Sequence, residues 1–162
     1  MKHSNRTAAW LVAAVLAAAG QAAGAATPDF ALPARDGSTV KLSELKGQVV
    51  MINFWASWCG PCRQEMPLLD QMYKKYKPLG FTLVGVNVEP DSTDAEGYLK
   101  KTPVTYPILL DKENKVSSLY DVSAMPSSVI VDRKGRVRYV HHGYKPGDEN
   151  EFLNQIRTLV KE

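Results

Sequence analysis

The sequence predicts an α/β domain: a central mixed β-sheet flanked by helices, with a small N-terminal hairpin ahead of it. Three observations lead there. Val49 to Trp55 is an unbroken apolar run, the pattern of a parallel strand buried on both faces. Phe81 to Val88 reads as a second buried strand, and a helical pattern lies between the two. Ser127 to Asp132 and Val137 to His141 flank the turn Arg133-Lys134-Gly135-Arg136. That arrangement reads as an antiparallel hairpin, which makes the sheet mixed.

The elements follow in chain order. Met1 to Arg6 carries Lys2 and Arg6, Ala8 to Ala19 is apolar, and small residues continue to Ala26. A basic start, a short apolar core and A-x-A-like endings predict a cleaved secretory signal over 1–26, with domain 27–162 after it. The cut falls before Ala26 or before Thr27. The alternative is an uncleaved membrane anchor, although the apolar core is shorter than the ~20 residues of a span. No cysteine lies near the cut, so a lipid-modified N-terminus is not expected. The chain has 20 basic and 17 acidic side chains. Loss of Lys2 and Arg6 leaves a nearly neutral domain, so neither nucleic acid nor an anionic surface is implied as a partner.

Asp29 to Leu32 and Ser38 to Leu42 flank an Asp36-Gly37 turn, a hairpin signal. Ser43 is expected to cap a short helical turn. A helix should start at Gly60 and end near Lys77, kinked by Pro67 and stopped by Pro78 and Gly80. Asp91-Ser92-Thr93 is placed to cap a helix to about Lys101, with Tyr98 and Leu99 inward. Tyr106 to Leu110 reads as a strand and Lys115 to Tyr120 as a short helix. Asp148 and Glu151 have capping-box spacing for a last helix, whose inward face is Phe152, Leu153, Ile156, Leu159 and Val160.

The chemistry concentrates at Trp58-Cys59-Gly60-Pro61-Cys62, which holds the only two cysteines. Thiols at i and i+3 in the first turn of a helix share one face, close enough to form a disulfide. Cys59 would stand at the helix N-terminus, where free N–H groups and the macrodipole favour a thiolate. Cys59 is therefore the expected nucleophile and Cys62, one turn inside, the resolving thiol. Trp58 is expected at the surface beside the nucleophile, in contact with substrate, and Trp55 in the core. Gly60 and Pro61 would tune the redox poise by shaping the helix start. A structural disulfide or half of a metal site is the alternative, but a closed zinc site needs four ligands. The chain has three His, one of them inside the signal. His141 and His142 are read as structural or solvated.

Asn53-Phe54-Trp55-Ala56-Ser57-Trp58-Cys59-Gly60-Pro61-Cys62 closely resembles the active-site segment of the thioredoxin superfamily. More narrowly, residues 27 to 162 resemble the exported bacterial thiol-disulfide oxidoreductases called TlpA-like or ResA-like. The resemblance implies a thioredoxin-like fold in which the N-terminal hairpin and a helix and strand over about Asp91 to Leu110 are additions. It implies a cis peptide at Met125-Pro126, opposite the cysteines, with Met125 and Pro126 binding substrate. It implies a reductant, because Gly-Pro is the dipeptide of reducing members. Asn53 stands where thioredoxins usually carry a buried Asp serving the inner cysteine. Glu89, at the end of the next strand, is the substitute expected as catalytic base, the alternative being a solvated loop carboxylate.

The expected protein is thus a monomeric, extracytoplasmic (periplasmic) disulfide reductase with no cofactor beyond the Cys59–Cys62 pair. Its partners would be a client protein bearing a disulfide and a membrane electron donor, with cytochrome c maturation as one client process. An oxidant or isomerase running the same chemistry backwards, or a copper metallochaperone, is the alternative. The hairpin also resembles peroxiredoxins, but the CxxC motif does not.

Overall fold

The computed structural model describes residues 27–162, so the expected leader lies outside the described residues. The elements are β1 (Ala31–Pro33), β2 (Thr39–Lys41), β3 (Val49–Trp55), α1 (Gly60–Tyr76), β4 (Phe81–Asn87), α2 (Thr93–Lys101), β5 (Ile108–Leu110), α3 (Lys115–Leu119), β6 (Ser127–Val131), β7 (Val137–His142) and α4 (Asp148–Leu159). Short 3-10 turns cover Leu42–Leu45 and Lys77–Leu79. The five-stranded sheet runs β5-β4-β3-β6-β7. β3 pairs in parallel with β4, and β4 with β5, while β6 lies antiparallel to β3 and β7 antiparallel to β6. The expected mixed sheet of thioredoxin-like type is present.

Every residue of β3 is buried, because it lies at the centre of the sheet with helices and loops over both faces. Strand alternation sends Met51, Asn53 and Trp55 to the α1 side. Phe54, on the other side, packs against Tyr120, which also meets Phe30 edge-on. α4 packs against α1. The β1–β2 hairpin forms its own two-stranded sheet and runs along the β5 edge through Arg35 N to Ile108 O at 2.8 Å. Arg35 also forks onto Glu96 of α2 at 2.8 and 2.9 Å. An exposed pair contributes only about 0.2–1 kcal/mol, whereas a buried Phe or Leu contributes about 1.5–3 kcal/mol. The hairpin is therefore held mainly by Phe30, Leu32 and Ala34 in the core.

Several local expectations are corrected. Ser43 caps nothing; its own N–H donates to Asp29 Oδ1 at 2.9 Å. The capping box of α4 does not form, because the N-cap is Gly147 with positive φ. Asp148 Oδ2 instead accepts from Lys145 N and Glu149 Oε2 from Gly147 N. Asp91, rather than Ser92, accepts the Thr93 N–H at the start of α2. Tyr106 precedes β5 and is not part of it. α1 runs through Pro67 to Tyr76, as expected. The carbonyl of Arg63, deprived of a donor by that proline, accepts Tyr98 Oη at 3.2 Å. Tyr98 is thus half-buried, with its ring 6.0 Å from that of Trp55. None of the helices among the described residues is long and apolar enough to cross a membrane.

Candidate active site

β3 ends at Trp55, the chain turns through Ala56, Ser57 and Trp58, and α1 begins at Gly60. Cys59 is its N-cap, in an extended conformation, and its Sγ accepts from Cys62 N at 3.2 Å. Pro61 sits in the first turn, where its missing N–H leaves no bond unmade. Cys59 and Cys62 are joined as a disulfide with Cα atoms 5.3 Å apart. Cys59 is 4% exposed and Cys62 0%. Only Cys59 offers sulfur to an attacking or incoming group, the order the helix positions predicted.

The Met125–Pro126 peptide is cis, as expected. β6 starts directly after it, and Ser127 and Ser128 pair with Phe54 and Asn53 of β3. That register brings the preceding loop beside the cysteines. Pro126 O accepts from Gly143 N at 2.7 Å, and Ser127 Oγ donates to Ala124 O at 2.7 Å, fixing the loop. Between this loop and the CxxC turn lies an open groove of about 490 Å³. Its walls are Trp58 to Pro61 on one side and Val122 to Met125 on the other. Trp58 is 67% exposed, the most exposed large apolar side chain among the described residues. Trp58, Cys59, Gly60, Pro61 and Met125 thus converge on one groove with no charged side chain in its walls, and Pro126 is buried just behind it.

Glu89 is buried and is not a solvated loop group. Its Oε1 accepts from Ser57 Oγ at 2.7 Å, and its Oε2 from Ser57 N and Asn87 Nδ2, both at 2.8 Å. From the other side, Arg63 Nη1 donates to Ser57 O at 3.0 Å. Glu89 therefore clamps the turn that presents Trp58 and Cys59, and its hydrogen bonds go to that turn and to Asn87.

A second acid, not singled out from the sequence, lies under the helix. Glu65 is 0% exposed and one helical turn beyond Cys62 on the inner face of α1. Its Oε2 accepts from Asn53 Nδ2 at 3.1 Å, and the same amide donates to Ser128 Oγ at 2.9 Å. Burial pushes the Glu65 carboxyl up to about 8; the Asn53 bond works against the shift and the charge of Asp148 adds to it. Its signal was available in the sequence: an acid within the apolar stripe Cys62, Met66, Leu69 and Tyr73. Asn53 of β3 thus holds a buried acid that comes from the facing helix.

A CxxC pair with one sulfur at the groove, the other in the interior and a buried acid one turn farther along the helix is equipped for two-electron thiol–disulfide exchange. Known proteins resemble this chain over most of its length. The Redoxin family model matches residues 22–156. The thiol-disulfide oxidoreductase ResA of Bacillus subtilis is 36% identical over 138 residues, covering 85% of this chain and 75% of that protein. The ResA of Geobacillus kaustophilus is 34% identical over 122 residues, covering 75% and 70%. Among solved structures, a Chlorobium tepidum protein described as thiol:disulfide interchange protein DsbE superposes with a TM-score of 0.81 and 42% identity, covering 85% of this chain and 96% of that one.

Proposed function

The chain belongs to the Redoxin family, as a ResA/TlpA-like thiol-disulfide oxidoreductase of the thioredoxin superfamily, and from that premise we propose that it works as a reductant of protein disulfides outside the cytoplasm. The client docks in the groove between Trp58 and Met125. The Cys59 thiolate attacks one client sulfur, and the other client sulfur leaves as a thiolate. Cys62 then gives its proton to ionised Glu65 and attacks Cys59 Sγ. The second client sulfur leaves, the client has gained two electrons, and Cys59–Cys62 is a disulfide again. Glu89 positions the turn, and Glu65 takes the proton-accepting role expected of it. Burial raises this carboxyl to about 8, which makes its ionised form a stronger base than an ordinary carboxylate.

The observation that carries the reducing direction is the setting of Cys62. A CxxC protein becomes a strong oxidant when its reduced, thiolate form is stabilised. Here the inner thiol is fully buried, with a carboxyl group one turn away. A thiolate there meets burial, which disfavours it. The Gly60-Pro61 pair, shared with reducing relatives of this fold, agrees. The leader-like residues 1–26 and the likeness to exported oxidoreductases support the location. In an oxidising compartment such a dithiol needs a dedicated donor, a membrane protein that passes electrons across. Reduction of the haem-attachment cysteines in cytochrome c maturation is the client process this reading favours.

The test is the equilibrium of Cys59–Cys62 against a glutathione series. A potential near that of thioredoxin, about −270 mV, is expected, and one near about −120 mV, typical of a strong periplasmic oxidant, overturns the direction.

A further inference from the structure

Four buried polar atoms around the acid under α1 have no hydrogen-bond partner within the protein: Glu65 Oε1, Asn53 Oδ1, Trp55 Nε1 and Tyr106 Oη. All four side chains are at most 3% exposed. A buried, unpaired polar atom is costly, so each needs a partner. They also belong together. Asn53 and Trp55 project from the same face of β3, and Asn53 is bonded to Glu65. Gly85 of β4 lies directly opposite Asn53 in the sheet. A Cβ at Gly85 would stand 2.9 Å from Tyr106 Cε2 and 3.4 Å from Trp55 Nε1. The bare backbone at Gly85 is what lets Tyr106 and Trp55 lie side by side over β4, next to the Asn53–Glu65 pair.

The chemistry of the four atoms is specific. The indole N–H is a donor only, the tyrosine hydroxyl can donate, and the amide and carboxylate oxygens accept. Two donors and two acceptors are the complement of one water molecule, which accepts two hydrogen bonds and gives two. We propose that one ordered water is bound among Asn53, Trp55, Glu65 and Tyr106, and that Tyr106 through this water positions and stabilises the ionised form of Glu65. This rests on Glu65 being the proton acceptor for Cys62. Asn53 Nδ2 occupies Oε2, so the proton of neutral Glu65 resides on Oε1, the oxygen facing the water. When Glu65 ionises, the water turns to donate to Oε1 while accepting from Tyr106 and Trp55. The titratable groups that face this acid are Cys62 on its own helix, Tyr106 ahead of β5, and Tyr144 and Asp148 at the head of α4. Asp70, farther along α1, faces Tyr106. Tyr106 is held in its neutral, donating form, since burial and the nearby Glu65 and Asp70 push its hydroxyl well up.

Two measurements test this on the intact domain. Magnetisation transfer from water to the Trp55 indole N–H should reveal a long-lived bound water in the wild-type protein. Its absence overturns the proposal. Tyr106→Phe keeps the ring on Gly85 and removes only the hydroxyl. The pH midpoint for resolution of the mixed disulfide should then rise by about half a unit or more, roughly a threefold change in the Glu65 equilibrium. A simple packing defect would lower stability without moving that midpoint, and an unmoved midpoint overturns the positioning role of Tyr106. The underlying role of Glu65 fails differently. In that case Glu65→Gln resolves the mixed disulfide with the wild-type pH profile, whether or not the indole reports a bound water.

Discussion

Two buried carboxyl groups stand near the same disulfide, and their surroundings could hardly differ more. At the end of β4, Glu89 accepts three hydrogen bonds from Ser57 and Asn87, all at 2.7–2.8 Å. Under α1, Glu65 has one bond, from an amide, and an oxygen facing unpaired polar atoms. A hydrogen bond to a charged group is worth about 1.5–3 kcal/mol net, and an unmet buried group costs about 1–3 kcal/mol. The first region is built to hold a backbone turn still. The second accepts a cost in stability and gains a carboxyl group that changes protonation near neutral pH. Burial alone therefore does not identify a working acid; the number of donors aimed at it does.

The largest effects should come from the sulfurs that these two regions serve. Cys59→Ser is expected to abolish exchange, because no other thiol lines the groove. Cys62→Ser should still attack and then stall as a mixed disulfide with the client. Alkylation of the reduced wild-type protein at limiting reagent should label Cys59 first, in line with its greater exposure. Preferential labelling of Cys62 would reverse the assignment.

The next effect separates the two acids directly. Losing a general base costs about 10²–10⁴-fold, so Glu65→Gln should slow resolution of the mixed disulfide by about 100-fold while the first attack by Cys59 stays within a few-fold of wild type. In the wild type the resolving step should quicken as pH rises toward about 8 and level off above it, following ionisation of Glu65. Glu89→Gln should keep that rising limb. Stopped-flow measurement with a chromogenic mixed disulfide resolves both phases. A rising limb lost in Glu89→Gln and kept in Glu65→Gln would exchange their roles.

The contrast also explains what could be read in the sequence. The CxxC segment was legible because local patterns encode it, an apolar strand and then a helix start, whereas the Met125-Pro126 side of the groove followed from the resemblance to thioredoxins. The order of exposure of Cys59 and Cys62 followed from helix geometry alone. Glu65 is not legible from helical spacing of apolar residues, because that pattern marks a helix's inner face without marking a charged residue on it. Only β3 lying beneath α1 shows that Asn53 and Glu65 form one unit. Glu89 was legible as an acid at the end of β4, but its partner Ser57 lies across a strand pairing that no local pattern reveals. The helix caps failed for a related reason. Ser43 and Asp148 have cap-forming side chains, yet Asp29, Gly147 and Glu149 satisfy or shape those ends instead.

The last effect, in stability, belongs to the carboxyl that burial raises. The carboxyl of Glu65 is raised from 4.5 to about 8 in the folded protein. Below about pH 4.5 both folded and unfolded chains keep its proton, and it contributes no slope. Between about 4.5 and 8 the unfolded chain releases the proton and the folded chain retains it. Stability then falls as pH rises, by up to about 1.4 kcal/mol per pH unit. Above about 8 both states are ionised and the penalty is constant. Glu65→Gln has no such proton, so its stability relative to wild type should improve steadily across this window. Glu89→Gln should instead lose about 1–3 kcal/mol by disturbing the Ser57 clamp. The acids that partners hold low, such as Asp70 beside Lys74 and Thr105 and Asp132 beside Arg136, act at lower pH and leave the window clear. Comparing each variant with wild type also cancels the histidines. Denaturant unfolding of the disulfide form at pH 5, 6.5 and 8 supplies the three points. Parallel curves for wild type and Glu65→Gln would mean that the folded protein ionises Glu65 as readily as the unfolded chain does, and the distinction between the two carboxyl groups would vanish.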